Sequence, residues 1–581
     1  MKTAQDLTST YSFIGPFLAD PVLAPYGDNA LPLFAVALHL GVEDLGSFAT
    51  ESLTDHPADK KADIIYINEA DGVACVAQGL TSVDWGKQEA KANKASDLNT
   101  AAAWLLQRPI EDVPDAIRGH AKLLRDGLEK KTINKIIFAY AHNALESHNV
   151  EVELETVRHL LNGLNITKDA DVEVVELGLR RIEALHLTSL GAIQVTDQID
   201  LSASERIFEK GIGWQAYVLS INGAVLYELH EKYKNALFSA NLRDFLGARK
   251  VAGNVNNQIK KTAEGKPGNF FVLNNGITLV TKKAELQKDD ITLKIYGVSV
   301  VNGAQTTGAI HAVGIDHAKN VSVLARVIVV DDEGMIPLIV AGNNTQNSIV
   351  AWDRRSNDPV QVRIKQEFES RGVEYVHRRD SRRKSATSLF ADQVGQMLCA
   401  FGGDLQTAIR AKADIFESDS TYNKVFPVWI GIGHIFAVQT LGWAYDQVKQ
   451  ELKTKSAAGG MTEVEEKQLR LLDFPASKQF LIRVVGDLRE ELAGKQVSQP
   501  QAFEVRPEFI EAGGEVVVNA WAKVLKSILP TIVQGLPAEE YQVVRSTEHT
   551  DTVSQRTKGI VAGAEVLQSG FEDLRAMLKP I

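Results

Sequence analysis

From Ile64 to Val330 the chain keeps setting short β-branched runs beside stretches rich in helix formers, and beyond Ser381 only the helical spacing continues. That change of rhythm restricts the chain to an α/β architecture followed by a mostly helical region, because a period of two and a period of about 3.6 bury different faces of a segment. With 581 residues and roughly 150 per domain, there is room for three or four cores. The runs Ile64–Ile67 and Val73–Ala77 flank Asn68-Glu69-Ala70-Asp71-Gly72, whose Asp-Gly step predicts a hairpin. Gly86–Leu106, rich in Ala, Lys, Gln and Leu, reads as the helix that follows it. Further strands are predicted at Phe270–Leu273, Ile277–Val280, Ile291–Ile295, Ser299–Val301 and Val321–Val330, with a helix over Thr307–Val313. The chain divides on this reading into an α/β unit at 1–130, a bridge at 131–210, a denser α/β core at 211–385 and a helical region at 386–581. Lys453–Glu466, with two central glycines, is the best internal loop.

Charge and cysteine usage narrow the function. Lys and Arg total 63 against 74 Asp and Glu, so any contact with nucleic acid must be local and not a basic coat. Cys75 and Cys399 stand far apart with no partner at ligand spacing, which excludes a disulfide framework and a structural zinc site and suits a reducing compartment. The first residues lack the charged and apolar regions of an export signal, so a cytoplasmic location is expected. Val425–Tyr445 has no charged residue and the length of a membrane span. Its Pro427, His434, Gln439 and glycines favour a buried core helix or helix pair instead, and no membrane association is expected. No HExxH pair, nucleophile elbow, P-loop or dinucleotide-binding glycine motif occurs.

The residues that carry a signal lie in the centre. They run Asn241-Leu242-Arg243-Asp244, then Asn254-Val255-Asn256-Asn257, then Asn274-Asn275-Gly276, then Val301-Asn302-Gly303-Ala304-Gln305-Thr306. Asn, Gln and Thr offer donors and acceptors without ionising, so such a set reads hydrogen-bond edges better than it moves protons. The Asn302-Gly303 loop leads from a strand into a helix, where backbone N–H groups face an anion. The competing reading is that the Asn-Gly steps are turns and the amides cap helices and strands. Arg378, Arg379, Arg382 and Arg383 form the one dense basic run, suited to bidentate phosphate contacts or, equally, to a solvated loop.

This ordered series, with Asn343-Asn344-Thr345-Gln346-Asn347 and Tyr422-Asn423-Lys424-Val425-Phe426 after it, resembles the AIPR family of abortive-infection phage-resistance proteins. The N-terminal unit resembles the PD-(D/E)XK nuclease-like domain that precedes many family members. The resemblance implies a restriction-endonuclease-like α/β fold and Mg²⁺, held by Asp63 on one strand and Gln78 on the next, with Glu51 and Asp55 as further ligands. Leu80 stands where the pattern has a lysine, and Lys87, Lys91 and Lys94 on the following helix are the candidate replacements, the first two one turn apart.

Three readings follow. In the first, the protein is a Mg²⁺-dependent nuclease of phage defence, its central Arg243, Asn256, Asn274, Asn275, Asn302 and Gln305 holding DNA or RNA, and pairs of chains forming a homodimer. Asp63→Ala would then abolish cleavage without lowering the melting temperature. In the second, it is a non-catalytic sensor or assembly protein whose central domain binds a nucleotide or a phage component. In the third, the centre resembles a ParB-like nucleotide hydrolase, with Asn302, Gln305 and Arg243 near the phosphates.

Overall fold

The computed structural model describes residues 2–42, 44–54, 58–69, 71–189, 193, 195–202, 205–239, 252–330, 335–336, 339, 355, 358–377, 388–410, 412–536, 544–564 and 570–579. The first sheet holds β1 (Ile64–Asn68), β2 (Val73–Leu80), β3 (Lys135–His142) and β4 (Asp171–Leu177) in that spatial order. β1 and β2 form the expected antiparallel hairpin, while β2, β3 and β4 are parallel. Gly72 closes the hairpin at φ +63°, and the Asn68 side-chain oxygen accepts the Asp71 N–H at 2.9 Å. β3 lies between two parallel neighbours, and all eight of its residues are buried, which is why it reads as an almost unbroken apolar run. Helices Ala92–Ala102 and His148–Gly163 cover one face, and Ala30–Leu40 covers the other.

This sheet corrects two sequence readings. Residues 131–210 are no bridge, since β3 and β4 complete the N-terminal sheet. The helix expected over Gly86–Leu106 begins only at Ala92. Gly86 has φ +73°, its N–H bonds the Asn143 carbonyl at 2.9 Å, and the Lys87 carbonyl accepts the Leu145 N–H at 2.8 Å. Those backbone pairs to the segment after β3 hold 86–91 out of the helix.

The second sheet comprises β5 (Val195–Ser202), β6 (Arg206–Gly211), β7 (Trp214–Asn222), β8 (Ile277–Thr281), β9 (Lys283–Leu286), β10 (Thr292–Asn302) and β11 (Ser322–Val330). Its order is β5-β10-β8-β11-β7-β6, with β9 also on β10; only β8 and β11 run parallel. The two strands expected at Ile291–Ile295 and Ser299–Val301 are one strand, β10, whose register shifts at a bulge where Gly297 has φ +75°. Phe270–Leu273 is a short helix continuing the turn Pro267–Asn269, where the β-rich composition predicts a strand.

Beyond a short pair, β12 (Tyr375–Val376) with β13 (Leu389–Phe390), the described chain is helical. The uncharged segment breaks after Val425, and the helix Ile432–Ala458 then runs through the core. The loop expected at Lys453–Glu466 shrinks to 459–462, because helix Glu463–Asp473 starts with a reciprocal Thr462–Glu465 cap. One described helix, Glu515–Gly535, is long and apolar enough to cross a membrane; 56% of its apolar window is buried, with Trp521 fully enclosed.

One apolar cluster, including Phe34, Ile137, Leu219 and Val300, runs through both sheets. The helical region has a separate cluster built on residues such as Phe401, Phe436 and Trp521. Polar ties join it to the N-terminal unit: Lys453 Nζ donates to the Leu53 carbonyl at 2.6 Å, and Arg545 pairs with Glu69 at 2.6 Å.

Candidate functional site

On the first sheet, register places one polar row across four strands. Asp63, just before β1, stands opposite Gln78 of β2, which aligns with Tyr140 of β3, which aligns with Glu176 of β4. Strand alternation puts all four on the face that carries Val76, Phe138 and Val174. His142, two residues beyond Tyr140, joins them with its ring 4.7 Å from that phenol. Ala144 N–H donates to His142 Nδ1 at 3.2 Å, so Nε2 carries the proton and donates to Glu176 Oε1 at 2.9 Å. Burial, then Glu176 and Asp97, push the Tyr140 phenol well up, and its hydroxyl donates to the Lys91 carbonyl at 3.3 Å. Glu146 Oε1 accepts the Arg181 N–H at 2.8 Å, while its Oε2 is buried without a partner. A Cβ on Gly178 would sit 2.8 Å from Glu146 and 2.9 Å from His142, so a side chain there would push one of these groups aside.

Asp63 is engaged within this row. Its Oδ2 accepts the Gln78 Nε2 amide at 2.5 Å and the Gly79 N–H at 2.7 Å. Gln78 therefore turns its nitrogen, not its oxygen, to the carboxylate, and Gln78 Oε1 is buried without a partner. Leu80 packs at the edge of the apolar cluster on this face. Lys87 and Lys91 are exposed in the irregular segment before the helix and share no helical face; Lys94, on the helix, pairs with Asp97 at 3.5 Å. Glu51 lines a cleft elsewhere, and Asp55 lies outside the described residues. Among the described residues no group of three His, Cys, Asp or Glu side chains is placed to hold a metal ion. One carboxylate already holding two N–H donors, beside an amide presenting nitrogen, does not fit the oxygen shell that Mg²⁺ requires.

In the second sheet the two Asn-Gly steps pack on each other. Asn274 Oδ1 accepts the Gly276 N–H at 2.9 Å, and its amide donates to Thr306 Oγ1 at 3.2 Å. Gly276 has φ +78°, and a Cβ there would collide with the Leu324 carbonyl. Gly303 has φ +90°, and its Cβ would lie 2.5 Å from Ile277 Cγ2 and 2.8 Å from the Gly276 carbonyl. Asn302 ends β10, and Gly303 leads into helix Ala304–Ala312, on whose first turn Gln305 stands half-buried. Asn275 is exposed beside Asn274. Asn256 falls in helix Ala252–Gly265, but its side chain lies outside the description. Arg243, Arg378, Arg379, Arg382 and Arg383 lie outside the described residues.

Of the residues singled out in the sequence, the structure brings Asp63 to Gln78 and Asn274 to the Gly303 turn, while Tyr140, His142 and Glu176 were missed. Their signal was the even-numbered alternation Phe138, Tyr140, His142 in a strand mistaken for part of a bridge.

The fold and this geometry define an α/β protein with two polar surfaces, one on each sheet, and a large helical region. Residues 238–398, spanning the Asn-Gly turns and the start of the helical region, match the family model for AIPR protein. No curated protein and no solved structure matches the chain.

Proposed function

We propose that the protein acts in abortive-infection phage defence as a recognition protein that binds without cutting. The family match over 238–398 supports the defence role. The observation that carries the non-cutting reading is Asp63, whose carboxylate is bonded by the Gln78 amide and the Gly79 N–H with leucine at position 80. Exposed Asn275 and half-buried Gln305, held beside the Asn274–Gly276 and Asn302–Gly303 turns, offer uncharged donors and acceptors suited to a nucleotide or a nucleic-acid edge. The test is cleavage of labelled DNA and RNA by the full chain with Mg²⁺, Mn²⁺ or EDTA, beside Asp63→Asn, which keeps the acceptor for both N–H groups. The expected result is no metal-dependent cutting, with phage protection in cells retained by Asp63→Asn and reduced by Gln305→Ala.

A second reading, a metal-dependent nuclease acting on DNA or RNA, draws on the Asp63–Gln78 pair at the base of the hairpin and on the resemblance to nuclease-like domains. Metal-dependent cutting that disappears in Asp63→Asn would establish it and overturn the first.

A further inference from the structure

Between the first sheet and the helical region lies a cavity of about 210 Å³, below the roughly 300 Å³ at which sites for drug-sized ligands begin. Its walls include helix Leu45–Ser52, the outer edge of β1 and the Tyr445–Lys449 turn of the long core helix. The Thr54 N–H bonds the Asp63 carbonyl at 2.9 Å, so the odd-numbered residues of β1 aim their backbone groups away from β2. Ile65 and Ile67 line the cavity accordingly.

Charge in this cavity is unbalanced. Of the cations that line it, Lys449 pairs with Asp473 and Arg545 with Glu69, which leaves Asp44, Glu51 and the adjacent Asp446 all acting on Lys478. Lys478 Nζ already uses its donors on Asp446 Oδ1 and Oδ2 at 3.1 and 2.8 Å and on Ser47 Oγ at 3.4 Å. Asp44 Oδ1 accepts the Ser47 N–H at 3.0 Å as a helix cap. Glu51 makes no hydrogen bond or ion pair among the described residues, and it is exposed into the cleft. Its neighbour Ser52 lines the same space at 1% exposure, with a buried hydroxyl that has no partner. The rings of Phe48 and Tyr66, 5.4 Å apart between centroids, form an adjoining wall.

We propose that this cavity binds a small organic cation, a guanidinium or primary ammonium group on a short alkyl chain. Glu51 neutralises the charge, Ser52 Oγ accepts one of its N–H donors, and Phe48 and Tyr66 face it with their π surfaces. An anion would meet the acid surplus, and no set of three metal-ligating side chains is present among the described residues to favour an inorganic ion. The same chemistry is carried by free amines and by the arginine or lysine side chain of a peptide.

The experiment titrates the full chain with agmatine, cadaverine and a blocked Gly-Arg-Gly peptide, reading heat of binding and thermal shift. Agmatine or cadaverine is expected to bind saturably and to raise the melting temperature with the logarithm of its excess. Glu51→Gln, at an exposed position that leaves the fold intact, is expected to weaken binding about tenfold or more, and Ser52→Ala less. Glu111→Gln, at an exposed acid outside the cavity, is expected to change nothing. Binding of the free amines but not of the peptide identifies a small-molecule site, and peptide binding of equal or greater strength identifies a side-chain pocket. No saturable binding of any of the three probes by about 10 mM, or equal affinity in a natively melting Glu51→Gln, overturns the proposal.

Discussion

Replacing Asp63 by alanine removes the acceptor for the Gln78 amide and the Gly79 N–H together. Orphaned donors in a half-buried place cost about 1–3 kcal/mol, so Asp63→Ala should lower the melting temperature by several degrees while Asp63→Asn lowers it far less. A calorimetric scan of both variants checks this, and it departs from the sequence expectation of an exposed ligand that contributes nothing to folding. At the central turns the glycines themselves are required. Gly276→Ala and Gly303→Ala each combine a positive φ with a collision against neighbouring backbone, and either should cost more than about 3 kcal/mol, seen as lost soluble yield or a large fall in the midpoint of urea unfolding. The two Asn-Gly turns were legible in the sequence because each rests on local spacing, whereas Asp63 and Gln78 were singled out through the resemblance to nuclease-like domains, as ligands of one ion and not as a carboxylate bonded by an amide. Tyr140, His142 and Glu176 were not, since a strand register between residues far apart in the chain brings them together.

At the scale of elements, the long helix Ile432–Ala458 carries polar groups through an apolar core, and their titration should be visible. His434 is fully buried, its Nδ1–H donating to the Phe503 carbonyl at 2.9 Å, and burial lowers its pKa to about 4. His120, in helix Asp115–Glu129, is likewise lowered to about 4, by burial and then by Lys449. Both imidazoles are neutral in the fold and free to protonate near pH 6.5 once unfolded. The unfolded chain therefore binds more protons between about pH 6.5 and 4, and these two groups remove stability as pH falls through that window. His434→Gln should flatten the decline of melting temperature between pH 7 and 4.5 relative to the native chain. The existence of the helices was plain in the spacing of apolar residues, but their ends were not. Gly86–Lys91 has helical composition and is held out of the helix by Asn143 and Leu145, and Phe270–Leu273 has strand composition and coils because a proline turn precedes it.

Across the whole molecule, shared apolar contact decides which parts unfold together. The two sheets hold one cluster in common, whereas the helical region keeps its own and meets the N-terminal unit through a small contact of Phe474 and Pro475 on Gly119, a cavity and ion pairs. Exposed or half-exposed pairs of that kind contribute about 1 kcal/mol at most. Differential scanning calorimetry should accordingly show two transitions, one for both sheets and one for the helices, and a single transition with coincident probes would contradict this division. The sequence showed that a mostly helical region follows the sheets but began it at 386, whereas Val360, Ile364, Phe368 and Tyr375 already pack in its cluster, and it cut the N-terminal sheet in two at residue 130, because the composition of a crossover between parallel strands resembles that of a linker.

The outer edge of β1 is paired at its start by Leu53 and Thr54, and its far end is tied by Arg545, which pairs with Glu69 from 476 positions further along the chain. At a synthesis rate of about 5–20 residues per second, the wait lasts roughly 20–100 s. For that interval on the ribosome the far end of β1 lacks this tie, so the docking of the helical region onto the first sheet is paced by translation itself, and a truncated message would release a chain whose first sheet never receives it.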